Sequence, residues 1–174
     1  MKMRLSALMA ALFSMSILVV FPASGSEYLH INDVTMRLEG ANASFDLNYT
    51  LDTFSSIYVM FLGCRFLEPE LISFLGGYSD VKLVRADVGG ATLFVKDAGK
   101  YNSGYYLFDS TPFGSKDEPV KEGIASFSVV YPEGRSRTFY NVTATQNVFS
   151  QAKKTSSSQS TGKTKNTHRS SMGR

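Results

Sequence analysis

The stretch of sequence that decides the fold is Asn42–Leu51, which reads NASFDLNYTL. Apolar side chains occupy every second position from Ala43 onward, and polar side chains occupy the positions between them. Because successive side chains of a β-strand point to opposite faces of its sheet, this alternation predicts a strand with one buried face and one wet face. The segment therefore favours a β-rich fold in which one face of a sheet covers the core.

The residues before this strand predict its partner. Val34–Leu38 alternates in the same way, whereas Leu29–Ile31 lies on the opposite phase. A change of phase within one strand predicts a turn or bulge, here at Asn32-Asp33. The four residues Glu39–Asn42 then predict the hairpin connection.

The rest of the chain predicts more short strands and one short helix. The uninterrupted apolar run Ile57–Leu62 predicts a strand that is covered on both faces. Pro69, with Leu71 and Phe74 at helical spacing, predicts the helix, which Gly76-Gly77 ends. Further strands are predicted at 81–88, 91–95, 105–108, 124–131 and 138–148.

About eight short strands with close connections favour a mainly β fold, an immunoglobulin-like β-sandwich with one short helix. A second arrangement fits the same segments. Strand 57–62, the helix and strand 81–88 also suit a right-handed βαβ crossover, which would make the fold α+β.

The first 25 residues predict export. Lys2 and Arg4 precede the apolar run Leu5–Phe21, and the small residues Ala23–Gly25 follow it. This order is typical of a secretory signal peptide cleaved after Gly25, and a run of this length also suits an uncleaved N-terminal membrane anchor. Either alternative predicts that the rest of the chain is extracellular or at the cell surface.

Composition divides the remainder into a β-sandwich domain, residues 26–149, and a disordered basic tail, residues 150–174. All fifteen acidic residues lie before the tail and only ten basic ones lie among them, which gives that part a formal charge of −5. The tail is rich in Ser and Thr and carries +6, and it has too few apolar residues to form a core. Its charge predicts contact with an anionic envelope surface or lipid, whereas nucleic acid is disfavoured because the tail has no aromatic residue to stack on bases. The basic residues of the tail are Lys153, Lys154, Lys163, Lys165, Arg169 and Arg174.

Two kinds of candidate modification site follow from export. Asn42, Asn48 and Asn141 each precede a Ser or Thr by two positions, the pattern of an N-glycosylation acceptor. Cys64 is the only cysteine, so it cannot form an internal disulfide. Its apolar neighbours predict a buried thiol, and an intermolecular disulfide is the alternative.

Catalytic groups are sparse, and no cofactor or metal is predicted. His30 is the only histidine outside the tail, and its place on the polar phase of the first strand predicts a surface residue. The sequence therefore favours a non-enzymatic binding or structural module of the cell envelope, with a protein or glycan partner. The alternative is an extracellular hydrolase whose fold brings two carboxylates together.

Overall fold

The computed structural model of the protein describes residues 29–152. Within that range the fold is mainly β, as predicted, with nine strands in two sheets and three short helical segments. None of the helices in this range is long and apolar enough to cross a membrane. In chain order the elements are β1 Leu29–Glu39, β2 Asn42–Leu51, α1 Thr53–Leu62, a 3₁₀ helix Cys64–Leu67, α2 Glu68–Phe74, β3 Val81–Ala86, β4 Gly90–Val95, β5 Lys100–Asn102, β6 Tyr105–Phe108, β7 Ile124–Val130, β8 Ser136–Val142 and β9 Val148–Gln151.

The larger sheet has six strands in the order β3-β4-β2-β1-β7-β8. All neighbours are antiparallel except β1 and β7, which run parallel. In the β1–β2 pair Leu29 lies opposite Leu51, and the register shifts between Ile31 and Asp33. This shift confirms the predicted irregularity at Asn32-Asp33. The smaller sheet is antiparallel, in the order β5-β6-β9.

Both sheets contribute to one hydrophobic core. Phe45 of β2 and Phe127 of β7 are fully buried, and Phe108 of the smaller sheet belongs to the same cluster. Phe113, from the connection between β6 and β7, stacks on Phe74 of α2 with ring centroids 4.9 Å apart. It also meets Phe127 edge-on at 5.7 Å. These aromatic contacts fix α2 against the larger sheet.

The structure corrects the prediction for Ile57–Leu62, which belongs to a helix and not to a strand. The Asp52 side chain caps that helix, and Gly63, at φ +81°, ends it. A short apolar run fits a strand and a helix equally well, because it has no alternation to separate them. The βαβ crossover at 57–88 is therefore wrong, since its first strand is a helix and β3 pairs antiparallel with β4.

The predicted strand 138–148 is interrupted: residues 138–142 belong to β8, residues 143–147 lie outside the named strands, and Val148 begins β9 in the other sheet. The strand β8 ends at Val142, next to Asn141, whose φ of +53° departs from extended backbone. The strand β9 then crosses to the smaller sheet and pairs with β6. It extends to Gln151, so two residues assigned from sequence to the tail lie in a strand, and the Ser150 side chain is buried.

Candidate binding surface

The helix α1 carries large apolar side chains that point away from the protein. Phe61 is 84% exposed, Met60 is 78% exposed and Phe54 is 75% exposed. Seven of the fourteen large apolar residues that stand exposed between 29 and 152 lie on α1 or the 3₁₀ helix after it, so they form a patch and are not scattered. We call these seven residues the α1 surface: Phe54, Ile57, Tyr58, Met60, Phe61, Leu62 and Phe66.

The orientation of α1 is the reverse of an ordinary amphipathic helix. Phe54, Ile57 and Phe61 follow one another at spacings of three and four residues, which places them on one face. Ser55 and Val59, on the opposite side, are the two residues of the helix that are buried. A surface helix normally turns its apolar stripe toward the core. Here the wider apolar face is turned outward.

Capping bonds hold both ends of α1. The backbone N–H of Ser55 donates to Asp52 Oδ1 at 2.6 Å, and this hydrogen bond holds the pKa of the Asp52 carboxyl below its usual range. The Ser56 hydroxyl donates to the Asp52 carbonyl oxygen at 2.9 Å. At the other end the Gly63 N–H donates to the Val59 carbonyl at 2.9 Å. These bonds stabilise the two ends of the helix without using the side chains of its outer face.

The α1 surface continues onto the 3₁₀ helix. The ring of Tyr58 stacks on the ring of Phe66, with centroids 6.3 Å apart. No residue of Thr53–Leu62 is charged, and the nearest charged side chains along the chain are Asp52 before the helix and the exposed Arg65 after it. The surface is therefore apolar and uncharged across the whole of α1.

A second feature is an open cleft of about 960 Å³ between the start of β1, α2 and the loop 114–124. Four carboxylates and His30 line it. A glycosidase-type general acid is a carboxyl group that an apolar, buried environment keeps protonated. Three of the four carboxylates stand exposed and only Glu70 is half-buried, so the cleft gives catalysis limited support. The four are Glu70, Asp117, Glu118 and Glu122.

A smaller apolar patch lies on the outer face of the smaller sheet. Tyr105 and Phe149 meet edge-on with centroids 6.0 Å apart, beside Leu107, which pairs with Phe149 across β6 and β9. They line a shallow depression of about 310 Å³. This patch contains three exposed large apolar residues, against seven on the α1 surface.

The candidate modification sites lie on three different elements: β2, β8 and the 3₁₀ helix. Asn42 and Asn48 both lie on β2, where Asn42 is half-buried and accepts a 3.0 Å hydrogen bond from the Asp97 N–H. Asn48 and Asn141 are exposed, on β2 and β8 respectively. Cys64 is half-buried at the start of the 3₁₀ helix and packs against the core.

The other candidate residues do not come together in a catalytic or metal-binding site within residues 29–152. His30 is exposed at the rim of the cleft. Across residues 29–152, no group of three or more His, Cys, Asp or Glu side chains could hold a metal ion. The six basic residues of the tail, Lys153, Lys154, Lys163, Lys165, Arg169 and Arg174, lie outside the described residues, as does the N-terminal apolar segment.

Sequence reasoning missed the α1 surface, although a signal for it was present. Asp52 is a favoured helix N-cap residue, and Gly63 is a favoured residue just past a helix end. Ten residues between two such positions suit a short helix. Which face of that helix turns outward cannot be deduced from spacing when nearly every residue is apolar. No known protein family, curated protein or solved structure matches this chain.

Proposed function

We propose that this protein is an exported, non-enzymatic module of the cell envelope, secreted or held at the cell surface, which binds through the α1 surface. The observation that supports it is the outward orientation of an uncharged, capped helix with Phe54, Met60 and Phe61 largely exposed. Soluble monomeric proteins rarely expose a contiguous apolar patch of this kind, and larger patches mark sites of interaction.

The energetics support binding by the whole surface and not by one anchor. Full burial of a large apolar side chain contributes about 1.5–3 kcal/mol. The three most exposed side chains would thus contribute at most roughly 4.5–9 kcal/mol, which is comparable with the ~4–15 kcal/mol that association costs in lost freedom. Stable binding therefore needs the other side chains of the α1 surface as well.

The sequence supplies the grounds for placing this contact outside the cell. The apolar run Leu5–Phe21 with its basic head fits export, and the acceptor patterns at Asn42, Asn48 and Asn141 suit an extracellular glycoprotein. The basic tail offers a second, electrostatic contact with an anionic envelope surface. Protein and glycan partners remain part of the proposal, and nucleic acid is not.

The immunoglobulin-like architecture belongs to the same proposal. It is supported by the single core, to which Phe108 and Val148 of the smaller sheet and Phe127 and Val129 of the larger one all belong. Face-to-face packing of the two sheets about 10 Å apart in an experimental structure would support a sandwich. Sheets that meet only at their edges would contradict it.

The cleft favours a second candidate function, an extracellular hydrolase with a carboxylate pair. Glu70 on α2 faces the same space as Glu118 and Glu122 from the loop. If the cleft hydrolyses glycans, Glu70→Gln will abolish turnover of a reporter glycoside by the full-length protein without lowering its melting temperature. The binding proposal expects no turnover by the wild type at all.

Cysteine labelling in intact cells tests the proposed function. In a Cys64→Ala background, Phe61→Cys and Tyr140→Cys each place one thiol on the surface, since Tyr140 on β8 is 74% exposed and is a matched control. With a membrane-impermeant maleimide, we expect rapid labelling at position 140 and protection at position 61. After purification and denaturation both positions should react equally. Failure to label position 140 in intact cells would refute export, and equal labelling at both positions in cells would refute binding through α1.

A further inference from the structure

We propose that the α1 surface binds the interfacial region of a lipid bilayer, and that α1 lies along the membrane with Phe54, Ile57 and Phe61 inserted among the acyl chains. This inference rests on the proposed function, in that it names the occupant of the surface proposed to bind. Position in the fold, side-chain chemistry and shape each support it.

The position of α1 in the fold is close to the point where the described chain begins. Leu29 is the first described residue and lies opposite Leu51, two residues before α1 begins. Opposed residues of an antiparallel pair have Cα atoms about 5 Å apart. The chain therefore enters the sheet at the same end at which it leaves for α1. Residues 22–28 reach at most ~24 Å when extended, so a membrane that holds Leu5–Phe21 would lie within reach of α1.

The chemistry of α1 suits the boundary between headgroups and acyl chains. Interfacial helices bury Phe, Leu and other apolar side chains by about 5–10 Å at the boundary between headgroups and acyl chains. On α1 the polar residue Ser55 is buried against the protein and Ser56 is half-buried, whereas Thr53, at the first position of the helix, is exposed. Tyr58 and the exposed Arg65 add a hydroxyl and a guanidinium, groups that favour the headgroup level.

The shape of the surface favours a fluid partner over a shaped one. Side chains that are 75–84% exposed project from the protein and do not line a groove. A protein partner would need a complementary pocket for each of them, whereas a bilayer accepts a projecting ridge without one. Because Phe54 and Phe61 lie near opposite ends of one face, along a helix of about 15 Å, they would enter the bilayer together with the axis parallel to its surface.

The contact is apolar, which separates it from electrostatic attachment by the tail. The tail needs anionic lipid and weakens as salt rises. The α1 contact needs neither, so it should persist on zwitterionic phosphatidylcholine vesicles at high salt. The apolar and basic contacts can therefore be measured independently.

The experiment uses the absence of tryptophan from the whole sequence, which makes a single introduced Trp a unique reporter. The full-length variants Phe61→Trp and Tyr140→Trp are reconstituted into phosphatidylcholine vesicles with and without brominated acyl chains. We expect the emission of Trp at position 61 to shift to the blue and to fall roughly twofold or more in brominated lipid, since bromine quenches only on contact. Trp at position 140 should stay red-shifted and unquenched. Phe54→Trp, on the same face, should behave like Phe61→Trp.

The other outcomes overturn the inference in distinguishable ways. A blue-shifted but unquenched Trp at position 61 would mean that protein covers α1, either the Leu5–Phe21 segment or a second copy, and the proposed function would stand without its lipid partner. A red-shifted, unquenched Trp at position 61, together with equal cysteine labelling in cells, would overturn both. Equal quenching at positions 61 and 140 would show non-specific adsorption and would also refute the assignment to α1.

Discussion

Leu29 lies opposite Leu51 in the antiparallel pair of β1 and β2. This pairing places the entry of the chain into the sheet beside the start of α1, although the two positions are distant in sequence. An apolar N-terminal segment and an outward apolar helix are thereby connected to the same end of one sheet. On the membrane proposal, a bilayer that holds the N-terminal segment would lie within reach of the α1 surface.

Removing the apolar side chains of the α1 surface should leave the fold intact. The double variant Phe54→Ser/Phe61→Ser changes exposed positions and should alter the free energy of unfolding by no more than about 0.5 kcal/mol. Val59→Ala removes buried volume from the same helix and should cost roughly 2 kcal/mol. Urea unfolding of the three proteins makes the comparison. A larger loss in the double variant than in Val59→Ala would show that α1 packs differently.

The Asp52 cap should determine whether α1 forms. Asp52→Ala removes the acceptor for the Ser55 N–H and should speed hydrogen exchange throughout α1, whereas Asp52→Asn retains a capping oxygen and should not. The folded state lowers the pKa of Asp52, so the stabilisation by this carboxylate is present above its ordinary pKa and is lost as pH falls through the lowered value. Hydrogen exchange is measured on each folded protein at neutral and acidic pH and is followed in the proteolytic fragment that contains α1. These exchange rates test both points. Equal rates in the Asn and Ala variants would contradict the role of the cap.

Tyr49 should make the protein sensitive to alkali. Its hydroxyl donates to the Asp87 carbonyl oxygen at 2.6 Å, and burial, with smaller contributions from Cys64 and Asp87, raises its pKa to about 12. A raised pKa means that the neutral form stabilises the fold fully below the ordinary value near 10, and that this stability is lost as pH rises through 12. Tyr49→Phe should cost about 1 kcal/mol at neutral pH and should flatten the fall of melting temperature between pH 10 and 12. Tyr140→Phe, an exposed control, should change neither quantity.

The boundary of the folded domain should lie after β9. A chain that ends at Ala152 keeps the pairing of β9 with β6 and the 2.9 Å hydrogen bond from the Ala152 N–H to the Gly104 carbonyl. Its melting temperature should match that of the full chain. A chain that ends at Asn147 loses the buried Val148 and Ser150 and should be destabilised by roughly 3 kcal/mol or more. Equal melting temperatures for the two truncated chains would contradict this boundary.

The sequence predicted those parts of the fold in which one strand face is wet. Asn42–Leu51 alternates because β2 has one buried and one exposed face, and the local hairpins could be read from their turn residues. The parallel pairing of β1 with β7 could not be predicted, since nothing local joins Asp33 to Ser126, which hydrogen-bond at 2.7 Å across most of the domain. The pairing of strands that are distant in sequence depends on how the whole core packs.

The α1 surface was missed for a related reason. Residues 57–62 are uniformly apolar, so the run carries no period that separates helix from strand or buried from exposed. The break between β8 and β9 was missed because Asn141 adopts a positive φ that its sequence context does not require. The acceptor patterns at Asn42, Asn48 and Asn141 could be read directly, because they are short and local.

Photo-crosslinking from position 61 tests the central claim most directly. A photoreactive phenylalanine analogue placed at position 61 of the full-length chain, and at position 140 as the control, is activated in intact envelopes, and the adducts are identified by mass. We predict phospholipid adducts at position 61 and none at position 140, because Phe61 lies on the α1 surface whereas Tyr140, which is also exposed, lies on β8. The absence of lipid adducts at position 61, or equal yields at the two positions, would contradict the account.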